Sequence, residues 1–136
     1  MNKIPSESRV IIVGGGVIGC SVAYHLAKLG WSDIILLEQG EIAGGTSWHA
    51  AGMVGQLRTS NSLTKINKYS VDLYKKISEE TGISIGWNQC GSLNLGTTDQ
   101  RMVQLNRTAA MAEVFGVNAE LIDSKKCLEK WPVMSE

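Results

Sequence analysis

The fold is decided by the stretch Arg9-Val10-Ile11-Ile12-Val13-Gly14-Gly15-Gly16-Val17-Ile18-Gly19. Residues 9–13 form a short run that is apolar and β-branched beyond Arg9. Such a run suits a strand buried on both faces, as in a parallel sheet. Three adjacent glycines follow, and chain without side chains favours a turn over a continuous helix. Past the turn, Ile18, Val22, Leu26 and Leu29 recur at helical spacing, which predicts a helix over residues 17–29 with one apolar face. Gly30 stands where a helix C-terminal glycine belongs. Residues 33–38 carry a second apolar run, Ile34, Ile35, Leu36 and Leu37, and predict a second buried strand. Together these make a β-α-β unit of about thirty residues, the length of a right-handed crossover.

Within that unit Gly14, Gly16 and Gly19 match the spacing G-x-G-x-x-G. The spacing alone is a weak signal. It gains specificity here because it follows a predicted strand and opens a predicted helix. Gly14 allows the tight turn, Gly16 leaves main chain bare for a pyrophosphate, and Gly19 lets helix and strand pack closely. A side chain at Gly16 is therefore expected to abolish binding. The amides opening the helix, at Val17 and Ile18, point the positive end of its dipole at the phosphates. Glu38 lies nineteen residues beyond Gly19, at the end of the second strand. A carboxylate there accepts hydrogen bonds from ribose hydroxyls and repels a 2′-phosphate, which disfavours NADP.

The chain then changes character. Residues 39–55 are rich in glycine and small side chains, and so long a loop is usually functional. Within it, Gly44 to Gly52 offer main-chain amides and the hydroxyls of Thr46 and Ser47 to a phosphate or a flavin ring. A short helix is expected near residues 48–53. By spacing alone His49 reads as a hydrogen-bonded loop residue, and His25 as structural.

Further on, the periodicity predicts a helix over residues 62–81, with Leu63, Ile66, Leu73, Tyr74 and Ile77 on one face and Gly82 at its end. Weak alternation predicts a short strand over residues 91–96. A third helix is expected over 99–115, with Asp99 as N-cap and Met102, Leu105, Ala109 and Ala112 facing inward. A last helix over 124–130 is stopped by Pro132. The fold class is thus α/β: a Rossmann-type β-α-β with additional helices, an incomplete doubly wound domain. Two parallel strands are too few to complete such a sheet.

Bulk composition narrows the partners. Lysine plus arginine number 13 and so do the acids, which gives no electrostatic reason to expect nucleic acid or an anionic membrane surface. The apolar run over residues 10–27 approaches membrane-spanning length, but four glycines interrupt it, so no membrane span is expected. Cys20, Cys90 and Cys127 are widely spaced and form no C-x-x-C pair. They point to a reducing compartment, and with no secretion signal or Arg-rich transit peptide evident the default location is cytoplasmic. No metal-ligand spacing is evident.

The run from Arg9 to Gly52 closely resembles the D-amino-acid oxidase superfamily of FAD enzymes. Thr46-Ser47-Trp48-His49-Ala50-Ala51-Gly52 is similar to a signature of its dimethylglycine and sarcosine dehydrogenase branch. The resemblance implies FAD as cofactor. It places Val17 and Ile18 over the pyrophosphate, Glu38 and Gln39 at the ribose, and Gly45 to Met53 beside the flavin. It also implies a covalent bond from His49 to the flavin 8α-methyl carbon. The implied reaction removes hydride from the carbon beside an amine, with a small-molecule amine as substrate and a separate electron acceptor. On this reading residues 1–136 are the N-terminal part of an FAD-binding oxidoreductase domain, with the substrate domain outside it. Two other readings stand beside it: a non-catalytic regulatory relative of the same branch, and an NAD-dependent dehydrogenase domain.

Overall fold

The computed structural model describes residues 5–134. The order of elements is β1 (Val10–Val13), α1 (Val17–Lys28), β2 (Ile34–Leu37), a 3-10 turn (Thr46–His49), α2 (Asn61–Thr81), α3 (Asp99–Val114) and α4 (Ser124–Lys130). The chain divides into two compact units, one up to Met53 and one from Val54 on.

In the first unit β1 and β2 pair in parallel, with Val10 opposite Ile34 and Val13 opposite Leu37. α1 packs on both strands. Its end is closed by glycine chemistry. Gly30 sits at φ +85°, its N–H donates to the Ala27 carbonyl (2.9 Å), and the Trp31 N–H donates to that of Leu26 (3.0 Å). This pair of hydrogen bonds closes around a left-handed residue, a conformation that glycine adopts without strain. The two strand entries are pinned together: the Arg9 N–H donates to the Asp33 carboxylate (2.8 Å), and the Arg9 guanidinium lies 4.0 Å over the Trp31 ring.

The expectation of strands buried on both faces is corrected. Along β1, Val10 and Ile12 are half-buried whereas Ile11 and Val13 are 57% and 85% exposed. Successive side chains of a strand point to opposite faces, and α1 covers only one. The apolar face expected for α1 is likewise partly open, with Ile18 78% exposed.

In the second unit the fully buried side chains are few. Thr64, Val71, Ala112 and Cys127 are its buried residues among those described. Thr64 is polar yet satisfied: its hydroxyl accepts from the Arg58 N–H (3.0 Å) and donates to the Arg58 carbonyl (3.3 Å). Leu63 and Ile66, expected on the inner face of α2, are exposed, while Leu73, Tyr74 and Ile77 are half-buried. Tyr74 stacks on Trp87 at 5.5 Å between ring centres. On α3 Ala112 is buried and Leu105 and Ala109 half-buried, but Met102 is exposed.

Three further expectations are revised. Residues 91–96 form no strand. Gly96 instead lies so close to α3 that a Cβ there would sit 2.4 Å from the Met102 sulfur and 3.0 Å from Leu105, so this segment packs on a helix rather than pairing with a strand. The N-cap of α3 is Thr98, whose Oγ1 accepts from the Arg101 N–H, and Asp99 is the first helical residue. The short helix expected at 48–53 is a 3-10 turn at Thr46–His49. No described helix is long and apolar enough to cross a membrane.

Candidate functional site

The site is built around the turn between β1 and α1. Gly14 sits at φ +102°, a conformation an L side chain rarely adopts, and its N–H donates to the Leu37 carbonyl at 2.7 Å. That bond ties the turn to the end of β2. Gly19, one turn into α1, backs directly onto it: a Cβ there would stand 1.9 Å from the Gly14 carbonyl oxygen and 3.4 Å from Ile12. The third glycine of the spacing is thus required by the turn's own main chain even more than by the strand.

Gly15, the residue between the two expected glycines, is the hub. It is buried. Its N–H donates to Glu38 Oε2 at 2.7 Å, and its carbonyl accepts from the Ala43 N–H at 2.9 Å and from the Cys20 thiol at 3.3 Å. The other Glu38 oxygen, Oε1, accepts from the Gly40 N–H at 3.0 Å. These main-chain donors, Gly15 first, then Gly40 and Gln39, hold the Glu38 carboxyl below its ordinary pKa against a smaller opposing desolvation. Each carboxylate oxygen has more than one lone-pair direction, so Glu38 braces the turn and keeps acceptor capacity for a ligand.

The amide end of α1 has an unusual cap. Gly16 occupies the N-cap position and offers no side chain. The Val17 N–H instead donates to Ser47 Oγ at 2.9 Å, from thirty residues further along the chain. The same hydroxyl lies 3.2 Å from where a Gly16 Cβ would be, so a side chain at Gly16 meets Ser47 before it meets any ligand. The next two amides, of Ile18 and Gly19, have no carbonyl four residues back within the helix to accept them. No acidic residue stands in that first turn, which leaves the positive end of the helix dipole uncompensated from within.

The structure therefore brings together Gly14, Gly16, Val17, Ile18, Gly19, Glu38 and Ser47. Gln39 and Gly45 line an open cleft of about 330 Å³ with Glu38, Gly40, Glu41 and Gly44. Thr46 and His49 bound the 3-10 turn, and Trp48 and Met53 stand 79% and 86% exposed. Ala50, Ala51 and Gly52 continue as exposed loop, with Gly52 at φ +71°.

Sequence reasoning passed over Gly15, Gly40 and Ala43. Ala43 holds φ +63°, a left-handed conformation that costs a non-glycine residue about 1 kcal/mol. It is offset by the bond to Gly15, and nothing in the identity of an alanine announces it. The donors and acceptor present fit a dinucleotide. No atom lies within 4 Å of a Cβ built on Gly14, the first turn of α1 carries no acid of its own, and a carboxylate is braced next to the turn.

Comparison with known proteins agrees with this geometry. The chain is 41% identical over 132 residues to the mitochondrial pyruvate dehydrogenase phosphatase regulatory subunit of Mus musculus, covering 97% of this chain and 15% of that protein. It is 38% identical over 129 residues to the mitochondrial dimethylglycine dehydrogenase of Homo sapiens, covering 95% and 15%. The chain thus spans about 15% of the length of these relatives. The crystal structure of L-proline dehydrogenase from P. horikoshii superposes with a TM-score of 0.83 at 30% identity, over 93% of this chain and 33% of that one. The fold is accordingly a partial α/β domain of Rossmann type. With residues 9–136 matching its family model, the chain belongs to the FAD dependent oxidoreductase family.

Proposed function

We propose that this chain is the FAD-holding front of an oxidoreductase that oxidises the C–N bond of N-methylated amino acids of the dimethylglycine or sarcosine type. The observation that carries the cofactor is the braced turn, in which the Glu38 carboxylate holds the Gly15 amide beside the amide end of α1; the substrate class rests on the likeness to dimethylglycine dehydrogenase. Of the two amides expected over the pyrophosphate, that of Val17 is taken by Ser47, so in this reading those of Ile18 and Gly19 hold it, Glu38 and Gln39 hold the ribose, and Gly45 to Met53 flank the flavin. FAD, when bound, supplies the redox chemistry by accepting hydride from the substrate carbon. The chain's own residues bind and orient it. The finer part of the proposal is a covalent bond between His49 and the flavin, which requires the neutral imidazole as nucleophile. A small-molecule amine and a separate electron acceptor are the proposed partners. The default location remains the cytoplasm, and cell fractionation decides it.

A second reading is favoured by the identity to a regulatory subunit: a flavin-binding chain without turnover. One experiment separates these. The protein is mixed with FAD, freed of excess, scanned for flavin absorbance and precipitated with acid. The proposed function expects blue-absorbing flavin bound to the protein and colour in the pellet. Colour wholly in the supernatant removes the His49 bond but leaves FAD binding standing. A yellow protein inert toward dimethylglycine and sarcosine with an artificial acceptor fits the regulatory reading and equally the reading in which the substrate domain lies outside residues 1–136. A colourless protein that binds NAD instead overturns the flavin reading altogether.

A further inference from the structure

We propose that Ser47 is a positioning residue that pins the Thr46–His49 turn onto the amide end of α1, setting the phosphate end and the ring end of the cofactor in one frame. The proposal rests on the FAD reading above.

Ordinary caps reach the second or third amide of a helix from the residue at its start. Ser47 does neither. It takes the first amide, Val17, from thirty residues away. Its partner position is a glycine, and a Cβ there would stand 3.2 Å from Ser47 Oγ, a tight contact that would push the hydroxyl back by a few tenths of an ångström. The Ser47 carbonyl accepts from the Ala50 N–H at 3.3 Å, and the Trp48 N–H donates to Gly45 at 3.2 Å. Anchoring Ser47 therefore anchors the short turn in which His49 stands two residues on.

Beyond the Glu38 carboxylate, the loop after β2 has two further ties to the glycine turn. The near one is main chain, Ala43 N–H to the Gly15 carbonyl at 2.9 Å. The far one is the Ser47 side chain. Substitution can remove only the second without disturbing the first. The Glu38 carboxylate accepts from the Gly15 and Gly40 amides independently of Ser47. Loss of the hydroxyl should thus free the flavin side and leave the phosphate–ribose side intact.

The test compares Ser47→Ala and Ser47→Thr with the unmodified full chain. Two ligands are titrated by calorimetry: FAD, and ADP, which carries the phosphates and ribose without the flavin. Amide exchange at Val17 is read in the ligand-free protein. The expectation for Ser47→Ala is faster Val17 exchange, FAD affinity lower by about tenfold, roughly what one net hydrogen bond is worth, and ADP affinity within about twofold. Ser47→Thr keeps the hydroxyl and restores both FAD affinity and Val17 protection. Unchanged Val17 exchange overturns the proposal, as do equal losses for FAD and ADP, which would mark a general structural role. If the unmodified chain binds neither ligand, the FAD reading fails, and Val17 exchange alone decides whether the tie exists.

Discussion

The helices of this chain begin in two different ways. Ser60, Thr98 and Asp123 stand at the starts of α2, α3 and α4, and each turns a side-chain oxygen onto an amide three residues on, at Leu63, Arg101 and Lys126. α1 starts at a glycine with no side chain, and its first amide is met by Ser47. A helix that caps itself is settled by neighbouring sequence, with one of its open amides covered by its own first residue. A helix capped from a distance is settled only when the loop folds back, and its own first position is left to a bare glycine. The first arrangement is structural economy. The second is what a site for an anion needs.

The contrast is broken most severely at Gly19. Its Cβ would stand 1.9 Å from the Gly14 carbonyl oxygen, and Gly14 is itself held at φ +102° and bonded to Leu37 at 2.7 Å. Both colliding groups are main chain, so neither can rotate away. Gly19→Ala is expected to cost about 3 kcal/mol or more and to abolish FAD binding, read by urea denaturation and flavin titration. Gly55→Ala is the control. A Cβ at Gly55 would meet only the Arg58 guanidinium, at an ordinary 3.5 Å, so a change within about 0.5 kcal/mol is expected. Equal midpoints for the two variants would mean that the turn is not the rigid element argued here.

The next effect is a dependence on pH. The Gly15, Gly40 and Gln39 amides bond the ionised form of Glu38 and lower its pKa in the folded chain. A lowered pKa means that the contribution is complete above the unfolded-state value and is lost as pH falls through the folded one. FAD affinity should therefore hold through neutrality and fall in acid, below the ordinary carboxylate range. Glu38→Gln should bind more weakly at neutral pH and lose that acid limb. Glu120, whose pKa is lowered by its bond to Lys126, titrates in the same direction, but Glu120→Gln should leave FAD affinity unchanged. An acid limb that survives in Glu38→Gln would place the titrating group elsewhere.

The same contrast explains what could be read from sequence. β1, α1 and β2 were legible because strand runs, helical spacing and glycines at fixed offsets are local signals. Gly30 and Gly82 were legible as helix ends for the same reason. The Ser47–Val17 tie was not, since it joins residues thirty apart and involves a serine among several small polar residues. Gly15 was masked by its neighbours, since three glycines in a row do not say which one carries the carboxylate. The strand expected at 91–96 failed because alternation in Leu93 and Leu95 describes a face and supplies no partner. Two-sided burial of β1 failed because an apolar run looks the same whether one face is covered or both. Thr98 and Asp99 are both capping residues, and only geometry shows that the first does the capping.

Thr98 also gives the smallest and most discriminating test. Its Oγ1 accepts from the Arg101 N–H at 3.2 Å, a local cap of the ordinary kind, and Asp99 in the first turn still favours the positive helix end after the hydroxyl is gone. Thr98→Ala should therefore cost about 1 kcal/mol of stability, seen as a lower urea midpoint, while FAD affinity is unchanged. Ser47→Ala removes the same chemical element, one side-chain oxygen on one helix amide, yet should act on the ligand. Were Thr98→Ala to weaken FAD as much as Ser47→Ala does, loss of any cap would loosen the site through general stability. The special standing of the α1 end would then be gone. If the two variants differ as expected, stability and binding separate by helix, and the separation follows from where each capping oxygen comes from.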